Sequence, residues 1–162
     1  MKKKSQSQPL RIECGDFWSF ITSRTVNSRL WFVNNKRLEE HCLKHLARYS
    51  EKYGAEVYAF ALMGNHHHDV VRFPNLNRSP FYRDFNARIA EGVRHLVDEF
   101  EGGPVFQRRF SEQALPLESD VEELFFYSAL QGVEDGLCEF PDDYPGWNSF
   151  HEAMVLLSLP GL

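Results

Sequence analysis

Two stretches of the sequence combine residue types and spacings that could do chemistry. The first is Asn65-His66-His67-His68-Asp69. On a β-strand, successive side chains point to opposite faces. His66 and His68 would share one face, and His67 and Asp69 the other. Two imidazoles at i and i+2 on a rigid strand can hold one divalent ion. Coordination positions would stay open for water, a substrate oxygen or a third protein ligand. Imidazole has many other uses, so the plain alternative is a polar strand end. The second stretch is Tyr127-Ser128-Ala129-Leu130-Gln131. Residues four apart on a helix share a face, so Tyr127 and Gln131 would point the same way. A tyrosine hydroxyl beside a metal-bound phosphate can act as a nucleophile. Gln131 could offer its carbonyl oxygen to the same ion. Taken alone, Tyr127 within Phe125-Phe126-Tyr127 reads as a packing aromatic.

These residues need a scaffold. Aromatic and β-branched residues predict a strand over 17–22. Leu38, Cys42, Leu46, Tyr49 and Tyr53 recur at helical spacing over 35–53, and Gly54 is a natural stop. Residues 56–63 and 66–73 read as a hairpin turning at Gly64-Asn65. Ser79-Pro80 predicts the start of a second helix, with a stripe of Phe81, Phe85, Ile89, Val93 and Leu96 behind it. Gly102-Gly103-Pro104 breaks the chain before a short strand over 105–110. Ser119-Asp120-Val121-Glu122 reads as a capping box opening a helix to about Gln131. A loop-rich closure follows, with aromatic anchors at Phe140, Tyr144, Trp147 and Phe150. The order predicts an α+β, ferredoxin-like sandwich. Its antiparallel four-stranded sheet carries helices on one face and an additional C-terminal helix bearing Tyr127.

Composition bounds the rest. A chain of 162 residues, 43% hydrophobic and with 14 Phe, fits one folded domain with an aromatic core. The expected organisation is a basic tail over 1–10, a catalytic domain over 11–150 and a second tail over 151–162. No stretch approaches the ~20 apolar residues that cross a bilayer. Met1 to Pro9 is basic and polar without a following apolar run, unlike a secretory signal. Cys14, Cys42 and Cys138 are too scattered for a CxxC site or a disulfide framework, which suits a reducing cytoplasm. The net charge is −5, but all 18 Lys and Arg lie within residues 1–109. Residues 110–162 carry 11 acids and no Lys or Arg. Such a split allows a basic face beside an acidic one.

Four segments together resemble the single-tyrosine HUH transposases (insertion-sequence-200-like). The REP-associated tyrosine transposases and their domesticated relatives are the most similar group. Met63-Gly64-Asn65-His66-His67-His68 resembles the "MxNHxH" signature. Gly103-Pro104-Val105-Phe106-Gln107-Arg108-Arg109-Phe110 resembles "G-x-[FW]-Q-x-R-[FY]". The run from Tyr127 to Leu137 resembles "Y-x-x-x-N-P-V-x-A-G-L", and Tyr144 to Ser149 a closing "YPxxSS" segment. The resemblance spans roughly residues 14–150. It implies that His66, His68 and Gln131 bind Mg²⁺ or Mn²⁺. It also implies that Tyr127 attacks a phosphodiester of single-stranded or hairpin DNA, leaving a 5′-phosphotyrosine link. Arg24, Arg72, Arg78, Arg83, Arg108 and Arg109 are candidates for phosphate contacts. The site would form within one chain or between two chains of a homodimer. Three departures stand out. His67 replaces a usually hydrophobic residue, Gln131-Gly132 replaces Asn-Pro, and the C-terminal segment is acidic. Two other functions fit the same residues: a catalytically degenerate single-strand binder, and a His-metal phosphodiesterase unrelated to transposition.

Overall fold

The computed structural model describes residues 13–150 and Ala153. The expected tails over 1–10 and 151–162, Ala153 apart, lie outside the described residues. In chain order the elements are β1 (Trp18–Arg24), α1 (Lys36–Tyr53), β2 (Glu56–Met63), β3 (His66–Arg72), α2 (Arg78–Leu96), β4 (Ser111–Leu115) and α3 (Glu118–Glu134). The strands form one sheet in the order β2-β3-β1-β4. Every pairing is antiparallel. This is the ferredoxin-like arrangement expected from the element order.

The two faces of the sheet bury different partners. Leu38, Cys42 and Leu46 of α1 and Phe81, Phe85 and Ile89 of α2 pack on Ile21, Phe60, Leu62 and Val71. Each such side chain contributes roughly 1.5–3 kcal/mol by leaving water. On the second face Val121, Leu124 and Phe125 of α3 cover Ala59, Val70, Leu115, Trp18 and Phe20. The helix with the tyrosine therefore lies across the face that carries His66 and His68.

Local signals explain most boundaries. Asn35 caps α1 by accepting from the Leu38 N–H at 3.0 Å. Its amide also donates to the Leu96 carbonyl at 2.8 Å, tying the start of α1 to the end of α2. Gly54 ends α1 in the left-handed region, at φ 62°.

Four expectations are corrected. Residues 105–110 are not a strand; only Phe106 makes an isolated bridge, to Thr25. The fourth strand is the polar segment Ser111–Leu115, paired on one side with β1. Asn77, not Ser79, precedes α2, and the Ser79 hydroxyl instead donates to Glu13 at 3.2 Å. Helix α3 begins at Glu118, so Ser119 does not cap it. Leu117 stands at the cap, and Asp120 accepts from its backbone N–H at 3.2 Å. Finally, Phe140 is 60% exposed rather than an anchor.

The closing segment has a role that periodicity did not reveal. The Leu62 N–H donates to the Trp147 carbonyl at 2.8 Å, and the Phe60 N–H to Ser149 Oγ at 2.9 Å. The free edge of β2 is thereby covered. A Cβ on Gly146 would lie 2.4 Å from the Leu62 carbonyl, so this approach requires glycine.

Asn35→Ala removes both of its bonds at once. Loss of such a cap costs about 1–2 kcal/mol, so the urea midpoint should fall with an unchanged slope.

Candidate active site

Strand alternation sorts the histidine run. His66 and His68 face α3, while His67 and Asp69 face α2. All four are buried. The Nε2 atoms of His66 and His68 lie 2.8 Å apart. His66 Nδ1 is 2.6 Å from Asn65 Oδ1, which only accepts, so Nδ1 carries a proton and Nε2 a lone pair. His68 Nδ1 is 2.8 Å from Thr22 Oγ1, which can donate or accept. The Thr22 hydroxyl thus accommodates either tautomer of His68. With the proton on His68 Nδ1, two lone pairs would converge on one point.

Gln131 completes the cluster from one turn beyond Tyr127. Its side chain is buried, and among the described residues its Oε1 has no hydrogen-bond donor. A buried acceptor without a partner is costly. Gln131 nevertheless sits close enough to favour protonation of both imidazoles. Burial dominates and pushes His66 down to about 4, with the Arg24 charge adding to it. Burial and the neighbouring His66 push His68 down to about 3. Both rings are neutral near pH 7, as metal ligation requires. At 2.8 Å the two Nε2 atoms share a hydrogen bond, with His68 Nε2 the donor to the His66 lone pair. Moving that proton to His68 Nδ1, which Thr22 accommodates, would free two nitrogen lone pairs which, with the Gln131 amide oxygen, fit a single divalent ion. No group of three or more His, Cys, Asp or Glu suited to a metal occurs among the described residues. The third donor to such an ion would be the Gln131 amide.

Tyr127 stands beside this cluster in the same chain. Its ring lies 6.0 Å from the ring of His68 and 6.0 Å from that of Phe20. It is 40% exposed, so its ring is open to solvent. Gly132 does not end the helix but gives Tyr144 room to pack against it. Helix α3 continues past it to Glu134, and a Cβ there would lie 2.6 Å from the Tyr144 ring.

His67 has the partner that burial on the core face demands. Its Nδ1 donates to Asp69 Oδ1 at 2.9 Å, and its Nε2 faces Asn86 Oδ1 at 3.1 Å. Asp69 also accepts from the Tyr82 hydroxyl at 2.5 Å, and Asn86 donates to Ser23 Oγ at 3.0 Å. This network went unseen in the sequence because Tyr82 and Asn86 sit one position beyond Phe81 and Phe85, outside the apolar stripe that the helical spacing picks out.

The candidate arginines scatter. Arg24 ends β1 opposite His66 and is exposed. Arg72 pairs with Glu56 and lies over the Trp18 ring at 5.2 Å. Arg78 is buried and pairs with Glu112. Arg83, Arg108 and Arg109 line a cleft on the opposite face of the sheet.

No family model matches the chain, and no curated protein matches it in sequence. Among solved structures, the chain is similar to a REP-associated tyrosine transposase bound to a REP hairpin. The match has a TM-score of 0.74 at 16% identity, over 96% of this chain and 88% of that one. The two proteins share their fold. No helix among the described residues is long and apolar enough to cross a membrane.

Two predictions follow from the burial of these histidines. His67→Ala leaves Asp69 buried with the Tyr82 hydroxyl as its remaining partner in the network. Leaving a buried acceptor without its donor costs about 1–3 kcal/mol, readable by urea unfolding, while Mn²⁺ binding to the folded protein is retained. Acid should also destabilise the metal-free fold. Unfolded imidazoles take up protons near pH 6.5, whereas His66 and His68 resist until about 4 and about 3. The unfolded state then binds more protons, and stability falls as pH drops from 6.5 towards 4. Chemical denaturation in EDTA at stepped pH should show that slope, flattened in His68→Phe.

Proposed function

We propose that this chain is a metal-dependent DNA strand transferase of the HUH transposase type, cutting single-stranded or hairpin DNA through Tyr127. The observation that carries the reading is the meeting of Tyr127 and Gln131, from one helix face, with His66 and His68 in a single chain. The fold shared with a hairpin-bound transposase supports it.

His66 Nε2, His68 Nε2 and Gln131 Oε1 would hold the ion. When bound, Mg²⁺ or Mn²⁺ would polarise the scissile phosphate and offset its developing charge. Asn65 holds the proton on His66 Nδ1 and Thr22 can accept a hydrogen bond from His68 Nδ1, so that both Nε2 lone pairs would be free for the ion. Tyr127 Oη forms the new bond to phosphorus and gives up its proton. The P–O3′ bond breaks, and the 3′ oxygen leaves as a hydroxyl after taking a proton. The phosphate ester on Tyr127 retains the bond energy, so a 3′-hydroxyl can reverse the step without ATP. A bound cation beside Tyr127 would supply the field that activates a phenol as a nucleophile.

The test is a covalent protein–DNA adduct on a denaturing gel, with a hairpin-bearing single strand and Mn²⁺. Tyr127→Phe should reduce the adduct by ~10³-fold or more while keeping metal and DNA binding, since only the hydroxyl is lost. Gln131→Ala should weaken Mn²⁺ affinity more than DNA affinity. An adduct that survives in Tyr127→Phe would remove Tyr127 from this role. DNA binding without any adduct would favour the degenerate binder.

A further inference from the structure

The face that carries the histidines is poorly suited to holding a polyanion. Helix α3, which crosses it, exposes Glu118, Glu122, Glu123 and Glu134. No Lys or Arg follows Arg109 in the chain. Arg24 is the one cation among the candidate arginines beside His66. A nucleic acid led to Tyr127 would meet repulsion there unless anchored elsewhere.

The opposite face supplies such a place. A cleft of about 670 Å³ lies between α2 and the segment before β4. Its walls carry Arg83, Arg108 and Arg109, and its floor includes Tyr82, Asn86 and Phe106. Tyr82 and Asn86 hydrogen-bond Asp69 and His67, the residues that point away from α3. The cleft is therefore on the helical side of the sheet. Arg83 and Arg108 are both exposed. Arg83 shares Asp84 with Lys52, at 2.9 Å each, so two cations there meet one carboxylate. The cleft leads to the sheet edge, because Arg108 and Arg109 immediately precede β4, an edge strand. Helix α3 begins three residues beyond that strand. The path from this cleft to Tyr127 runs around one short edge.

We propose that this cleft is a second nucleic-acid contact, holding the phosphodiester backbone of a strand whose continuation passes the β4 edge. The inference rests on the strand-cutting reading for the direction of that path, but the cleft's own chemistry is anion binding by arginine. Arg83 and Arg108 bind phosphate oxygens, and among the aromatic residues at the cleft the half-buried Phe106 is the one partly open to a base.

Fluorescence anisotropy of the full chain with a labelled hairpin-bearing oligonucleotide tests this, in EDTA and over a range of salt. Arg83→Ala/Arg108→Ala should weaken binding at every salt concentration. The log–log salt slope should fall in magnitude by about 1.4–1.8, the loss of two phosphate contacts. Arg83→Lys/Arg108→Lys should restore most of that slope. Thermal melts should be unchanged, since both side chains are exposed. An unaltered affinity and slope in the alanine pair would overturn the proposal, as would a wild-type chain that binds no oligonucleotide. So would a mononucleotide that binds the cleft more tightly than the oligonucleotide, which would assign it to a small phosphorylated ligand. Binding that behaves as described without any covalent adduct would instead sink the strand-cutting reading and leave the cleft in place.

Discussion

The two-residue period of one strand is the constraint on which the candidate site depends. Residues 66 to 69 of β3 belong to a central strand, buried on both faces, with neighbours fixed on both sides. A one-residue slip would exchange the two sets of side chains between faces. His67 would then face α3, and His66 and His68 would enter the helical core without partners. The His67–Asp69–Tyr82–Asn86 network opposes that slip, because its hydrogen bonds form only in the observed register. The polar residue that breaks the family pattern is thus an anchor for its neighbours.

That constraint made much of the site legible in the sequence. Alternation alone assigned His66 and His68 to one face and His67 with Asp69 to the other. Helical spacing put Tyr127 and Gln131 on one side of α3. What could not be read was the docking of α3 in the same chain, because it depends on Val121, Leu124 and Phe125 meeting a sheet face set by strand order. The arginines illustrate the same limit. Charge and position made six of them equivalent, yet the half-buried Glu112 carboxylate pairs with a buried Arg78 while Arg108 reaches solvent.

The fold errors have a common physical origin. Val105, Phe106 and Phe110 look like strand residues, but they anchor a loop in the helical core. The actual β4 reads Ser-Glu-Gln-Ala-Leu and buries little besides Leu115. An edge strand with one partner needs backbone hydrogen bonds more than apolar side chains, so propensity understates it. Similarly, backbone geometry chose Leu117 as the cap of α3. The Asp120 carboxylate satisfied its N–H, three residues in, where Ser119 had looked the better cap.

The cluster around Gln131 is where stability and local chemistry disagree. Two imidazoles stripped of water and held 2.8 Å apart, beside an amide oxygen without a donor, form a poor packing solution. Apolar residues of similar volume would avoid the desolvation of all three groups. On the other face of the same strand, the His67 network gives its buried polar atoms partners within the fold. The contrast between adjacent residues separates the two roles. The His67 set meets its partners within the fold and holds the strand in register. The buried Gln131 Oε1, beside the two imidazoles and near Tyr127, has no donor among the described residues, and that is the feature the metal-binding proposal accounts for.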